Sequence, residues 1–245
     1  MSFSSSDQRS RPSGYSQLGP TTQRGIRTLP PVISDEPLIH LASVSVRAGA
    51  THILRDLDLD VRAGEALGVH GANGAGKTTL LRLAATLIRP SSGSGTVLGA
   101  SLNSESRYDV RHRIGYVGHV PGLYPELTLR ENLEFTADAH SIDHTAVASA
   151  LDMVGLGAAS DRQADRCSHG MQRRAEFARV LMTTPAVLLL DEPHSALDAD
   201  AVDLVDAIVE RTTASGGAAV LVSHDRERVS RVADRFVEIS AGGVA

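Results

Sequence analysis

Gly71-Ala72-Asn73-Gly74-Ala75-Gly76-Lys77-Thr78 spells a complete G-x-x-x-x-G-K-[ST] loop. Backbone N–H groups in such a loop, together with the start of the helix that follows, form a positive concavity for the β- and γ-phosphates of a nucleotide. Lys77 adds a compact ammonium, and the hydroxyl of Thr78 is a ligand suited to Mg²⁺. Lys77 is also the sole lysine of the 245-residue chain, whose other long cations are 23 arginines. Arginine replaces lysine in salt bridges and helix caps, but its wide fork does not fit within a wrap of amides. The composition thus marks the one place where lysine chemistry is needed, and the stretch implies a nucleoside triphosphate site.

The flanks support that reading. Ala66-Leu67-Gly68-Val69-His70 reads as a short buried strand running into the loop, and Thr78 to Ile88 as a helix closed by Arg89-Pro90. Strand, phosphate loop and helix in that order are the setting the motif requires. Gly71 to Thr79 are therefore the candidate nucleotide contacts. Further upstream, Leu38–Leu41, Val44–Val46 and the alternating Leu57–Val61 predict strands of a small antiparallel unit.

The rest of the site is expected more than a hundred residues downstream. Val187-Leu188-Leu189-Leu190 is a continuous apolar run, as in a parallel strand covered on both faces, and it ends in Asp191-Glu192. Asp191 is suited to hold Mg²⁺ through water, and Glu192 to polarise the attacking water. Ala218 to Ser223 predicts another strand, with His224 at its tip to donate to the γ-phosphate. Taken singly these are a solvated acidic turn and a surface histidine. Together they fit the rule that ligands of open α/β sheets gather at the carboxyl ends of strands.

Bulk composition narrows the class. A 42% hydrophobic share with 22% charge is that of a globular protein, and the net charge of −5 argues against nucleic acid as a partner. The single cysteine, Cys167, excludes an internal disulfide and fits a reducing compartment. No apolar run reaches the ~18 residues of a membrane span, and Met1 leads into polar residues rather than a secretion signal. The expectation is a cytosolic product, or one held at a membrane by a partner. Residues 1–36, rich in Ser, Arg and Pro, predict a disordered tail, and residues 37–245 the folded domain.

Over roughly residues 38 to 241 the chain resembles the nucleotide-binding subunits of ABC transporters. Besides the loop, Asp191-Glu192 and His224, the resemblance rests on Cys167-Ser168-His169-Gly170-Met171 followed by Gln172-Arg173-Arg174, and on Ser195-Ala196-Leu197-Asp198. It implies an α/β fold, with a P-loop NTPase (RecA-like) core, a small antiparallel β subdomain and a helical signature subdomain at about 126–182. It further implies ATP and Mg²⁺ as cofactors. Two copies are expected to sandwich ATP head to tail, with Ser168 and Gly170 of one facing the γ-phosphate of the other. Ser168 stands where a helix N-cap is expected.

The departures from the family's pattern are as telling. His169 and Met171 stand where a glycine and the glutamine of its usual Leu-Ser-Gly-Gly-Gln signature are found. Arg47-Ala48-Gly49 occupies the region that often holds an adenine-stacking aromatic. His119 falls where a glutamine is usual, and an imidazole reaches a metal's water shell differently from an amide, or serves only the structure. The stretch Gly118-His119-Val120-Pro121-Gly122-Leu123 with Glu126-Leu127-Thr128 and Glu131-Asn132-Leu133 is similar to the haem-exporter ATPases of cytochrome c maturation. It is nearly as similar to ATPases serving ABC-2 type exporters. The resemblance therefore implies an ATPase at the cytoplasmic face of a membrane, coupled to a separate transmembrane permease subunit and to a second copy of itself. A soluble ABC-type ATPase of a cofactor-assembly system stays open beside it. A GTPase does not, because an Asn-Lys-x-Asp base-reading motif is impossible in a chain whose lone lysine is Lys77.

Overall fold

A computed structural model describes residues 36–195, 199–240 and 243–244. The expected tail therefore lies, save Glu36, outside the described residues, as do Ala196, Leu197 and Asp198. Two strands begin the fold, β1 (Ile39–Ala48) and β2 (Thr51–Val61), paired antiparallel. The sequence reading broke the first at residues 42–43, but the chain bulges there without leaving the sheet. Ser43 takes a left-handed φ of 48°, and its amide donates to Asp58 Oδ1 at 2.7 Å. Opposite it, Asp56 turns at φ 46° and its amide donates to Ser45 Oγ at 3.0 Å. Polar residues that look like strand ends are thus bulges satisfied by their own side chains. β4 (Ser92–Val97) pairs with the other edge of β1, and β5 (Ala100–Ser101) closes a sheet of order β2-β1-β4-β5.

The second sheet carries the site. β3 (Ala66–His70), β6 (Ile114–Val117), β7 (Val187–Asp191), β8 (Ala218–Val222), β9 (Arg235–Ser240) and β10 (Gly243–Val244) assemble in the order β10-β9-β3-β8-β7-β6. All neighbours are parallel except β10 with β9. Every residue of β7 and β8 is buried, which is why their sequences are unbroken apolar runs. With β3 and β7 both beside β8, their carboxyl ends and their loops converge at one edge.

Helix α1 (Lys77–Ala84) follows the phosphate loop and ends four residues before the Ile88 that the sequence predicts. It stops because Thr86 takes φ 59°, with Thr86 N donating to Leu83 O and Leu87 N to Arg82 O, both at 2.9 Å. This is a Schellman ending, and a β-branched residue is poorly suited to it. Arg111 holds Thr86 there, with Nε 3.0 Å from Oγ1 and Nη2 2.6 Å from the carbonyl. The stop signal is thus a tertiary clamp rather than Pro90.

Three helices form a layer beside the sheet: α2 (Leu129–His140), α3 (Thr145–Met153) and α4 (His169–Thr183). Thr128 and Glu131 make a reciprocal capping box at the start of α2. Leu133, Leu151 and Phe177, one from each helix, are fully buried in a shared core. That core continues to α5 (Ala199–Ala214), while a second one joins the antiparallel sheet to α1 and the opposite face of β3, β7 and β8. A last short helix, α6 (Arg226–Val229), leads into β9.

Candidate active site

The loop from Gly71 to Gly76 leaves the tip of β3 and turns back into α1. Gly71 has φ 144°, and a Cβ there would lie 2.3 Å from the Ile239 carbonyl oxygen of β9. Gly76 caps α1 at φ 104°, with a Cβ position 2.7 Å from Leu54 in β2. Only glycine fits either place. Ala72, Asn73 and Gly74 form an exposed lip, Ala75 is partly covered, and Thr79 sits in the first turn of α1.

Lys77 is buried under that lip at 8% exposure. Its Nζ donates to the carbonyls of Gly71 at 2.7 Å and Ala72 at 3.0 Å, so the ammonium already lies inside the loop. Thr78 Oγ1 donates to Asp191 Oδ2 at 2.8 Å across 113 positions of sequence. Asp191 is itself only 2% exposed. The hydroxyl and carboxylate expected at a metal are therefore joined, and as hard oxygen donors they suit Mg²⁺. Among the described residues no group of three or more His, Cys, Asp or Glu is placed to hold a metal ion.

Glu192 follows at φ 50°, a left-handed conformation costing about 1 kcal/mol or more in a residue with a side chain. Its amide donates to Val222 O of the adjacent β8 at 2.8 Å, which fixes the turn. Its Oε2 accepts from Ser223 Oγ and from the His224 amide, each at 3.3 Å. His224 Nε2 lies 3.3 Å from Glu192 Oε1, outside hydrogen-bond geometry, and its ring is well exposed. The two residues expected to act on water and phosphate thus form one pair, with the imidazole at the open side.

The remaining expected residues lie on a neighbouring wall. Ser168 caps α4, its Oγ accepting from the Met171 amide at 3.2 Å, and the exposed Ser168 and His169 leave that helix end open. Gly170 is in its first turn. His119 is exposed beside a cleft of about 310 Å³ that His169, Arg173 and Ser195 also line. No described contact ties His119 to Thr78 or Asp191. Cys167 is buried with Sγ donating to Gln163 O at 3.3 Å, and burial pushes its thiol up from the ordinary value, which suits packing. Arg47 and Ala48 are exposed at the β1–β2 hairpin, where Arg47 faces His52 across the strands.

Sequence reasoning missed several neighbours. Tyr116 in β6 is close to the Asp191 charge: burial first, and then that carboxylate, push its phenol above the ordinary value, while Arg82 of α1 hydrogen-bonds it. His194, two residues beyond Glu192, is buried 4.0 Å from Asp206 of α5, which pairs with Arg231 at 3.0 Å. That row of side chains links the turn after β7 to the segment after His224. Nothing in a single sequence flags either group, because each becomes informative only through a partner a dozen or more residues away.

Comparison with known proteins agrees with this geometry. Residues 54–195 match the family described as ABC transporter. A cytochrome c biogenesis ATP-binding export protein, CcmA of Xanthomonas oryzae pv. oryzae, is 34% identical over 212 residues, covering 86% of this chain and 98% of its own. The Nod factor export ATP-binding protein I of Rhizobium johnstonii is 35% identical over 209 residues, covering 83% and 67% respectively. Among solved structures, an ATP-binding subunit of an ABC transporter superposes with a TM-score of 0.78 at 26% identity, over 84% of this chain and 88% of its own. The ATP-binding cassette MJ0796, as a dimer in a post-hydrolysis state bound to ADP and Pi, gives 0.75 at 25% identity over 84% and 96%. The chain belongs to the ABC transporter family and is one of its ATP-binding, ATP-hydrolysing cassettes.

Proposed function

We propose that this ATPase powers a membrane exporter, working as one of two copies that close on ATP against a separate permease. The observation that carries the chemistry is the pairing of Thr78 with Asp191 and of Glu192 with His224 beneath one phosphate loop. Glu192 takes the proton of the attacking water, held in place by its strained turn and by Ser223. Lys77 exchanges the Gly71 and Ala72 carbonyls for β- and γ-phosphate oxygens, and the loop amides from Gly71 to Thr79 orient the triphosphate. His224, on the open side of Glu192, donates to the γ-phosphate. Thr78 and Asp191 hold Mg²⁺, which when bound neutralises charge on the transferred group. His119 contributes from the cleft wall, and the open end of α4 at Ser168 and Gly170 serves the nucleotide of the partner copy.

The exporter half of the reading draws on the names of the relatives, two of which are export proteins. It also draws on a surface. Tyr124 and Phe135 are large, apolar and exposed along a groove of about 230 Å³, and Val120 is exposed beside the cleft that His119 lines. A patch of that kind suits an apolar element of another protein. No helix among the described residues is long and apolar enough to cross a membrane, and the reading assigns the spans to that partner. Haem as cargo is the finer reading, supported by the CcmA likeness alone.

The test is affinity capture from detergent-solubilised membranes of the native host, with Glu192→Gln and ATP as bait. Recovery of a polytopic membrane protein is expected. Recovery of soluble proteins only, with the bait absent from the membranes, would move the assignment to a cofactor-assembly ATPase.

A further inference from the structure

The segment Gly118–Gly122 leaves β6 and carries His119, yet has no regular structure of its own. Three side chains of α4 hold it instead. Arg173 donates through Nη1 to Gly118 O at 2.6 Å and through Nη2 to His119 O at 3.3 Å. Glu176 Oε1 accepts from the Gly122 amide at 2.8 Å, and Arg179 Nη1 donates to Gly122 O at 2.8 Å. Spacings of three residues place all of them on one stripe of the helix. Arg173 and Glu176 also pair with each other at 3.2 Å, and they are 4% and 3% exposed.

Apolar side chains would fill that space at lower cost, since burying an ion pair forfeits hydration that its own attraction rarely recovers in full. Here the bonds the pair makes beyond itself all go to main-chain atoms of one loop. Its side chains are thereby left to face outward, as Val120 does at 77% exposure. The same helix begins at Ser168, little more than one turn before Arg173.

We propose that Arg173 and Glu176 are positioning residues for hydrolysis, making the Gly118–Gly122 loop a rigid outgrowth of α4. His119 on the loop and Ser168 at the helix start then move as one body, His119 toward this copy's nucleotide and Ser168 toward the partner copy's. The inference rests on the roles given above to those two residues, and it adds what keeps them in register.

Hydrogen–deuterium exchange on the full chain, with ATP turnover on the same samples, tests it. Glu176→Ala is expected to speed exchange over residues 118–123 by about tenfold, as loss of one buried hydrogen bond should, while β3 and β7 stay unchanged. In that variant kcat falls about tenfold and KM for ATP stays within about twofold, the pattern of an interaction needed in the transition state. Glu176→Gln, whose amide oxygen still accepts from Gly122, restores most of both. An unchanged loop in the alanine variant, a loosened loop with full kcat, or faster exchange spread across β3 and β7 would each overturn the proposal. Full turnover in His119→Ala and Ser168→Ala together would instead overturn the site roles on which it depends, a failure read without reference to the loop.

Discussion

Glu192 is where backbone strain and chemistry meet. Its left-handed turn aims the carboxylate between Ser223 and His224, and the Val222 carbonyl keeps it there. Glu192→Gln preserves that shape but removes the proposed base. Steady-state phosphate release is expected to drop by about a hundredfold or more, with ATP affinity retained. Lys77→Ala should behave differently, because it deletes the charge proposed to meet the phosphates. Equilibrium binding of a fluorescent ATP analogue is expected to weaken by about tenfold or more in that variant. Glu176 gives a pH signature. Burial, the largest influence on it, raises its carboxyl above the ordinary value, outweighing the Gly122 bond and the charges of Arg173 and Arg179. Between the ordinary and the raised value the folded chain binds more protons than the unfolded one, so stability declines as pH rises through that window. The melting temperature of wild type should therefore fall relative to Glu176→Gln as pH climbs from below the ordinary glutamate value to neutrality. Parallel curves would refute the assignment.

At the scale of elements, caps and clamps decide where helices stop. Ser141 ends α2 in a left-handed conformation at φ 54° and is exposed. Ser141→Gly is expected to stabilise the chain by about 0.5–1 kcal/mol, seen as a rise of a few degrees in a thermal melt. Thr86 is also left-handed, yet the same exchange there should gain nothing, because its hydroxyl is bonded to Arg111. These cases show what was legible in advance. The phosphate loop, the buried strands at 66–70, 187–191 and 218–222, and the cap at Ser168 could be read from local pattern, since local chemistry dictates them. The end of α1 could not, because Arg111 sets it from 25 positions away. The bulges at Ser43 and Asp56 were misread as a break for the same reason: their satisfaction comes from across the sheet. Glu192 and His224 were found as strand tips, whereas Tyr116 and His194 have no local mark at all.

For the whole molecule, the parallel sheet does the assembling. Its order puts β8 between β3 and β7, so three segments far apart in the chain deliver phosphate loop, carboxylates and imidazole to one edge. The helical layer of α2 to α4 stands beside that edge and presents Ser168 outward, away from the chain's own Lys77 pocket in sequence and in contact. A complete site is thus expected to need a second copy. Glu192→Gln with ATP and Mg²⁺ should elute as a dimer in size-exclusion chromatography and return to monomer on adding chelator; Ser168→Arg in that background should stay monomeric.

The solitary Lys77 has a practical corollary. Its Nζ is the chain's one ε-amine, enclosed at 8% exposure and engaged by two carbonyls. Amine-directed reagents such as acyl phosphates, applied to the folded protein, therefore have a single side-chain target, and that target is the phosphate pocket itself. A bound nucleotide would shield that amine, so the fraction of chains left unlabelled at Lys77 would count occupied pockets, turning an accident of composition into a built-in titrant for nucleotide occupancy.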